Sequence, residues 1–344
     1  MGTAEQAAEV MASIKAQLEE GGRGLRGVFF ACIYLADLGN FVPFNGVYCK
    51  SFGVNPPSRV CVGSCPDPDC AIRVECVATA APRKVLHVQS ISLWAPSCIG
   101  PYSQASTVGG LLHCAGQIPL EAGSMTLIPG EPAWGQTVRC FESCRVVLDV
   151  HRSALRQVLG GLLYVVAGSV GAPTGQALAR LVQSELESEG LPSELTTALG
   201  VIAVDSLPKG STVELQLYAE ENEDLSGGEQ PDDKVGPRVG GEGATDLFCE
   251  LGDRFSKVMA VCEEGQLVGG LVGSSVVVQA SGRAGKHCVV HTSVHLAPSA
   301  LAAATDLSRD VIRVTLQTLF VSAREVLRGY TGTPSPQLGF QGGL

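Results

Sequence analysis

Apolar residues recur along the chain in two spacings, one typical of helices and one typical of strands. Between residues 4 and 20 they stand three or four positions apart, which predicts an amphipathic helix that ends at Gly21-Gly22. The continuous apolar run at residues 27–35 predicts a buried strand. The same criteria predict helices at 41–51, 132–151, 174–189 and 300–327, and strands at 59–63, 71–79, 86–94, 110–118, 158–167, 201–206, 212–219, 276–280 and 288–296.

Part of this pattern occurs twice. A Pro-containing turn precedes an apolar strand at residues 74–78, and a similar turn precedes the strand at 215–219. Ala78 and Ala219 are separated by 141 positions, and Pro66 and Pro208 by 142, so the two turns differ in length by one residue. Two homologous domains in tandem explain this repeat most simply.

The composition favours a folded cytoplasmic protein. Hydrophobic residues make up 45% of the 344 residues and charged residues 17%, enough apolar material for two or three domains with real cores. The net charge of −10 argues against a surface that binds nucleic acid. No apolar stretch is long enough for a membrane span, and the first residues lack the features of a secretory signal. The 13 cysteines, an odd number in apolar surroundings, are expected to be reduced and buried.

Three ordered motifs carry a resemblance to a known family. The segments IGPYSQA at 99–105, GQIP at 116–119 and LPKGSTVE at 207–214 resemble the signature stretches of the Rid/YjgF family. The first copy resembles that family from its middle onward, through residues 34–37, Phe41, Asn45, Tyr48 and the segment PSRVCV at 57–62. Together the matches cover residues 5–220. The resemblance implies an α+β fold, a sheet backed by two helices, usually assembled as a trimer with ligand sites between subunits.

The same resemblance implies a chemistry, the hydrolysis of reactive imines and enamines of amino acids. Such a site needs an arginine that holds the substrate carboxylate and an acid or polar group that handles water. By position, the candidate residues are Arg59, Asn45 and Cys61 in the first copy and Tyr102 and Glu214 in the second.

Neither copy holds a full set of these residues. Arg73 stands at the acid position of the first copy, and Leu199 stands where the second copy would need the arginine. Ala115 replaces a frequent hydroxyl residue. Two alternatives remain: a composite site with Arg59 from one copy and Tyr102 and Glu214 from the other, or a family fold retained for packing and assembly.

Tandem Rid-like domains with altered sites resemble the C-terminal half of eukaryotic diphthine–ammonia ligase. In that family an N-terminal ATP-pyrophosphatase domain, with a phosphate loop SGGxDS, activates diphthine on elongation factor 2, and ammonia then forms the amide. The segment SGGEQ at 226–230 lies in an acidic stretch without a preceding strand, so it is rejected as such a loop. No cofactor is therefore expected in this chain, and ATP belongs to the parent family.

These arguments predict five segments. The chain is divided into a Rid/YjgF-like domain at 1–84, a second one at 85–220, an acidic Gly-rich linker at 221–245, an α/β segment at 246–330 and a disordered tail at 331–344. The first copy is expected to be truncated at its N-terminus, because a complete family domain has strands before the helix that begins at Ala4. A partner that supplies those strands is the alternative.

Three other groups of residues are rejected as sites. The groups are Cys61, Cys65, Cys70 and Cys76; His287, His291 and His295; and Cys140, Cys144 and His151. The four cysteines of the first group do not have the paired spacing of zinc-binding cysteines. The three histidines recur every four residues in a strand-like run, and on a strand such residues lie about 13 Å apart, too far for one metal. The third group, on the helical pattern at 132–151, lacks a third orienting residue, so no nucleophile is expected there.

The sequence thus favours a portion of diphthine–ammonia ligase with a structural or assembly role, with elongation factor 2 as the partner of the parent enzyme. A homo-oligomer or pseudo-trimer through the Rid-like domains fits this role. The alternative is a Rid-type imine/enamine deaminase built around Arg59. Endoribonuclease activity, an older label of the family, is the weakest reading, because the chain lacks a basic–aromatic stripe.

Overall fold

The computed structural model describes residues 2–64, 70–169, 172–190 and 198–221, together with the backbone of three strands further along the chain. The chain divides into two compact units. The first unit comprises Met1–Ser193 and Leu199–Gly236, and the second comprises Glu194–Ala198 and Pro237–Leu344. Among the described residues, no helix is both long and apolar enough to cross a bilayer.

The N-terminal half of the first unit has the order helix, strand, helix, strand, strand. Its elements are α1 (Thr3–Glu20), β1 (Val28–Leu35), α2 (Phe41–Phe52), β2 (Ser58–Gly63) and β3 (Ile72–Ala78). The sheet order is β2-β1-β3, with β1 parallel to β2 and antiparallel to β3. A parallel pair requires a crossover, and α2 provides it.

A hydrophobic core lies between this sheet and its two helices. Met11 on α1 and Phe44 and Tyr48 on α2 pack against Ile33 and other apolar residues of β1. The three largest of these side chains, Ile33, Phe44 and Tyr48, are fully buried. Burial of each large apolar side chain contributes about 1.5–3 kcal/mol, so this cluster is the main stabilising feature of the N-terminal half.

The C-terminal half contains a six-stranded sheet and two helices. Its elements are β4 (Arg83–Leu86), β5 (Ala105–Val108), β6 (Leu111–Cys114), α3 (Ala133–Val150), β7 (Val158–Val166), α4 (Ala172–Ser188), β8 (Ala198–Val204) and β9 (Val213–Glu220). The sheet order is β4-β5-β6-β9-β7-β8. The strand β9 lies in the middle of this sheet, antiparallel to both β6 and β7.

The elements of the N-terminal half match the last five elements of the C-terminal half. Thr3 and Ala133 begin the first helix of each set, and Val28 and Val158 begin the next strand, so both pairs are offset by 130 positions. The β1–β3 ladder changes register after Val28, and the β7–β9 ladder does so after Val158. The two halves therefore share their connectivity and a local irregularity.

The two halves pack face to face within the first unit. A second core cluster joins Phe30 and Cys32 of β1 to Tyr164 of β7 and to Leu207. Backbone hydrogen bonds also cross between the halves, since the N–H of Gly63 donates to the carbonyl of Ser206 at 2.8 Å and the N–H of Gly116 donates to the carbonyl of Arg59 at 3.1 Å. The face of β2 is thus held at a fixed position against the second sheet.

Most predicted elements agree with the structure to within a few residues, with three differences. The predicted strand at 86–94 is wrong, because β4 ends at Leu86 and the following residues form a loop. That loop carries Ile91 and Leu93 on the surface, so its apolar character imitates a strand. The short strand β5 and the strand Arg254–Ala260 were not predicted. The predicted helix at 300–327, the tail and nearly all of the linker lie outside the described residues.

The second unit contains a three-stranded antiparallel sheet. Its strands, β10 (Arg254–Ala260), β11 (Ser275–Arg283) and β12 (His287–His295), are paired in sequential order. His287, His291 and His295 lie on β12, a strand, as the sequence predicted.

Candidate functional site

A cleft between the two halves of the first unit brings together residues from both. Its volume is about 290 Å³, counting the part that is open to solvent. The N-terminal half contributes residues of α2 and β2. The C-terminal half contributes residues of the loop after β4, of the segment after β6, and of β9 itself. The lining residues are Phe41, Arg59, Cys61, Ile99, Tyr102, Gly116, Ile118, Pro208 and Glu214.

Arg59 on β2 is the only arginine of this lining, and its guanidinium is held rigidly. It is 2% exposed, and its Nη1 donates a hydrogen bond to Asn45 Oδ1 at 2.8 Å. The guanidinium carbon lies 4.9 Å from the ring centre of Tyr48 and 5.1 Å from that of Tyr102. Its Nη2 has no hydrogen-bond partner among the residues that the structure describes. A buried, aromatic-stacked arginine with free N–H groups is suited to bind a carboxylate.

Glu214 on β9 is a buried acid in the same cleft. It is 3% exposed, and its Oε2 has no hydrogen-bond partner in the described part of the chain. Burial raises the pKa of Glu214 to about 8, and the charge of Arg59 opposes this rise only in part. The carboxyl group is therefore mostly protonated at neutral pH, which allows it to donate a hydrogen bond or a proton to a ligand.

Two glycines make room for these side chains. A Cβ atom on Gly116 would overlap with Glu214 Oε1, and a Cβ on Gly100 would lie 2.7 Å from Arg59 Nη2. Neither glycine has a positive φ, so the requirement is one of space and not of backbone conformation. Gly100 belongs to the motif at 99–105 and Gly116 to the motif at 116–119. Each motif therefore supplies a residue without a side chain where the cleft needs space.

Tyr102 forms the third wall of the cleft. The N–H of Ile99 donates to Tyr102 Oη at 3.4 Å, and His87 Nδ1 lies 3.0 Å from the backbone oxygen of Tyr102. Burial raises the pKa of Tyr102 above its ordinary value, so the phenol stays neutral. A neutral phenol can orient a ligand or water, but it is a poor base.

Cys61 contributes shape and not a nucleophile. Burial raises the pKa of this thiol to about 12, with the charge of Arg59 as a smaller opposing effect. Because the thiolate is the reactive form, Cys61 is inert at neutral pH. The same holds for Cys140 and Cys144 on α3, whose pKa values are raised well above the ordinary value by burial.

The structure places all five candidate residues, Arg59, Asn45, Cys61, Tyr102 and Glu214, at or directly behind this one cleft. The residues that stand in place of the family's site residues lie outside the cleft or have no reactive group. Arg73 is exposed on β3 and forms an ion pair with Glu75 at 2.7 Å, and Ala115 is fully buried.

Sequence reasoning missed the apolar part of the lining. Phe41, Ile99, Ile118 and Pro208 surround the polar groups and reduce their contact with water. All four were noted only for the resemblance to the family, Phe41 as a single residue and the others within the three motifs, and no chemical signal distinguishes them from core residues.

The cysteine and histidine groups can be examined only where the structure describes their side chains, which leaves out Cys65, His287, His291 and His295. Within the described ranges, no three His, Cys, Asp or Glu side chains converge. Cys65 lies outside those ranges, Cys61 and Cys76 lie on strands β2 and β3, and His151 Nδ1 is 3.2 Å from Thr107 Oγ1. His151 is thus engaged with a neighbouring strand and not with the two cysteines of α3.

Comparison with known proteins gives a family and several relatives. Residues 93–221 match the family model described as endoribonuclease L-PSP. A diphthine–ammonia ligase of Schizosaccharomyces pombe is 31% identical over 198 residues, which cover 57% of this chain and 31% of that protein. A RutC family protein of Pyrococcus abyssi is 41% identical over 125 residues, 36% of this chain and 90% of that protein.

Comparison with solved structures gives matches to part of the chain. The crystal structure of RidA from an Antarctic Psychrobacter is 24% identical, covers 39% of this chain and 99% of its own, and superposes with a TM-score of 0.32. The chain spans less than a third of the length of the fission-yeast ligase that it matches.

Proposed function

The chain belongs to the RutC family, and on this premise we propose that it is the Rid-type portion of a diphthine–ammonia ligase. One observation carries this proposal. The similarity to the fission-yeast ligase extends over 198 residues, whereas the similarity to the RutC protein ends after 125. A single free-standing Rid domain would match over the shorter length only.

A tandem duplication fits the same proposal. The matching offsets of the helices and strands in the two halves, and the shared register shift, support a common origin of residues 1–84 and 85–220. In this interpretation the five elements from α1 to β3 correspond in order to α3, β7, α4, β8 and β9. The proposed role of the pair is assembly, as part of a homo-oligomer or a pseudo-trimer.

The chemistry of the parent ligase is part of the proposal. Such an enzyme amidates diphthine on elongation factor 2, with ATP and ammonia, and the ATP-binding domain is a separate part of the polypeptide. The partner would be elongation factor 2 in the cytoplasm, with no role for nucleic acid or membrane. No residue of the cleft is assigned to ATP.

A chimera tests this function. The matching part of the fission-yeast ligase is replaced by residues 1–344, and amidation of diphthine on elongation factor 2 is measured by mass spectrometry in cells without the native enzyme. We expect the chimera to restore amidation. The single-domain RutC protein of Pyrococcus abyssi, inserted at the same place, is the matched control and should restore less. A chimera that is folded and abundant but never restores amidation would refute the ligase assignment.

The geometry of the cleft favours a second candidate, imine or enamine hydrolysis. The free Nη2 of Arg59 can bind the carboxylate of a 2-imino acid, and protonated Glu214 lies in the same cleft. Water adds to the C=N carbon, the C–N bond breaks with proton donation to nitrogen, and a 2-oxo acid and ammonia leave. Glu214 is the group that can supply this proton.

An imine-hydrolysis assay separates the two candidates. The full chain is compared with Arg59→Ala and with Arg23→Ala, a control at an exposed arginine whose side chain donates a hydrogen bond to the nearby Gly21 carbonyl. Hydrolysis of 2-aminoacrylate that disappears only in Arg59→Ala would support the deaminase. Equal rates in all three proteins, or no rate above the uncatalysed reaction, would exclude it.

A further inference from the structure

A row of polar side chains on β9 faces the N-terminal half. Tyr164 of β7 belongs to the core cluster that the two halves share, and its partner in the β7–β9 ladder is Glu214. Leu162, which packs against the same cluster, has Gln216 as its partner. Directly paired residues point to the same face of a sheet. Glu214 and Gln216 therefore point into the contact between the two halves, at the level of the shared cluster.

Gln216 is fully buried at this contact, and its amide has no partner among the described residues. Its relative exposure is 0%, and neither Oε1 nor Nε2 forms a hydrogen bond within the described ranges. The amide can donate two hydrogen bonds and accept two. A buried amide that forms none lowers stability considerably, and buried polar groups in folded proteins are nearly always bonded to protein or to ordered water. Gln216 therefore requires a polar partner besides the side chains around it.

Two side chains beside Gln216 have the same requirement. Glu214 is two residues away on the same face, about 7 Å along the strand, and its Oε2 is buried and unbonded among the described residues. His113 of β6 is paired with Tyr218, which follows Gln216 in the row, and both of its ring nitrogens are buried and unbonded within the same ranges. Diagonal neighbours on two strands lie about 7–8 Å apart. The three side chains are thus close enough for small molecules to bridge them.

The shared cluster is apolar on the side of the N-terminal half. Phe30 of β1 and Val60 and Val62 of β2 belong to it, and their side chains have no polar atoms. The thiol of Cys32 in the same cluster is already hydrogen-bonded to the hydroxyl of Tyr164. The partner of the Gln216 amide is therefore not found across the contact, and a small bound molecule is the remaining source.

Water fits this site better than an ion. Burial raises the pKa of Glu214 to about 8 and lowers the pKa of His113 to about 4, so both groups are mostly neutral at pH 7. They offer hydrogen bonds but little charge to balance an ion. Water both donates and accepts, and a buried water molecule typically forms about three hydrogen bonds. Water can reach the site because Glu214 also lines the cleft.

We propose that water bound behind the cleft bridges the Gln216 amide to Glu214 Oε2 and reaches the His113 ring. Gln216 is then a positioning residue, because it holds through water the carboxyl group that lines the cleft. Glu214 Oε1 lies next to Gly116 of the cleft lining and stays available to a ligand. The site follows from burial and hydrogen bonding alone, so it is present whichever of the two proposed functions is correct.

A high-resolution crystal structure of the full chain tests the site directly. We expect an ordered water molecule within hydrogen-bond distance of both the Gln216 amide and Glu214 Oε2. An amide of Gln216 that contacts only protein atoms would overturn the proposal and would leave both proposed functions untouched. This measurement uses the unaltered chain, so it does not depend on the folding of a variant.

Infrared spectroscopy tests the positioning role of Gln216. At pH 5 Glu214 is protonated because its pKa is raised to about 8, and its C=O stretching band is the one that Glu214→Gln removes. Gln216→Met keeps the length of the side chain but not the amide. We expect it to shift this band to higher wavenumber, because the carboxyl group loses hydrogen bonds. Gln17→Met, at an exposed glutamine of α1, is the matched control and should leave the band in place. A band at the same position in both variants would contradict the role of Gln216.

Discussion

Arg59 and Glu214, from opposite halves of the first unit, line one cleft, and each has a buried side-chain atom without a hydrogen-bond partner among the described residues. No ion pair within 4.0 Å joins them in the described part of the chain. An arginine and an acid that do not satisfy each other leave room for a ligand between them. The two groups then match the two ends of a small molecule, a carboxylate and a basic nitrogen.

Glu214 should make stability depend on pH. Its pKa is about 8 when folded and 4.5 ordinarily, so between these values the unfolded chain releases a proton that the folded chain keeps. Stability therefore falls as pH rises from 4.5 to 8 and levels off above that range. We expect Glu214→Gln to remove this slope, so that its stability relative to wild type is greater at pH 8 than at pH 5. Urea unfolding at both values measures this difference, and an identical pH slope in both proteins would contradict it.

Gly116→Ala should disable the cleft by displacing Glu214. The added Cβ would overlap with Glu214 Oε1, so the side chain must move. We expect the binding of a small 2-oxo acid such as pyruvate, followed by NMR titration, to be lost. Gly46→Ala is the matched control, because a Cβ there meets nothing within 4 Å. It lies inside α2, where alanine is favoured by about 1 kcal/mol. Equal binding by both variants would show that Glu214 is not part of the binding site.

His113 should destabilise the protein in mild acid. Its ring centre lies 5.0 Å from those of Phe29 and Tyr218, and neither ring nitrogen has a hydrogen-bond partner within the described ranges. Burial lowers the pKa of His113 to about 4 from an ordinary 6.5, so only the unfolded chain takes up a proton between these values. Stability is unaffected above pH 6.5 and is lost as pH falls toward 4. We expect His113→Phe to lose less stability than wild type between pH 7 and pH 5 in thermal melts.

Phe44 should be a major stabilising residue of the N-terminal half. It is fully buried on α2, whereas Val42 on the same helix is 75% exposed. Phe44→Ala should cost about 3–5 kcal/mol, and Val42→Ala about 0.5 kcal/mol or less. Denaturant unfolding of the two variants measures the difference. Similar values would mean that the core does not lie where the structure places it.

The sequence predicted the helices and the long strands because their apolar periodicity is strong. It predicted a strand at 86–94 wrongly, because Ile91 and Leu93 are apolar although they lie exposed in a loop. It missed β5, because Ser106 and Thr107 are polar but buried, with Ser106 Oγ accepting a hydrogen bond from the N–H of Ser58. A hydrogen bond between residues so far apart in the sequence cannot be predicted from the local pattern of apolar and polar residues.

Only part of the candidate site could be predicted from the sequence. The motif positions supplied Arg59, Tyr102 and Glu214 by resemblance, and a composite cleft was one of two alternatives. Nothing in the periodicity brings β2 next to β9, because their contact depends on how two whole sheets face each other. The unpartnered atoms and the raised pKa of Glu214 follow from that packing and become visible only in three dimensions.

The backbone hydrogen bonds between Gly63 and Ser206 and between Arg59 and Gly116 have a consequence for how the chain denatures. Each of them joins the two halves through the main chain, so neither half can melt without breaking bonds of the other. A single cooperative transition should cover residues 2–221, with coincident loss of secondary and tertiary signals. The two halves, which resemble separate domains in the sequence, would then unfold together as one unit.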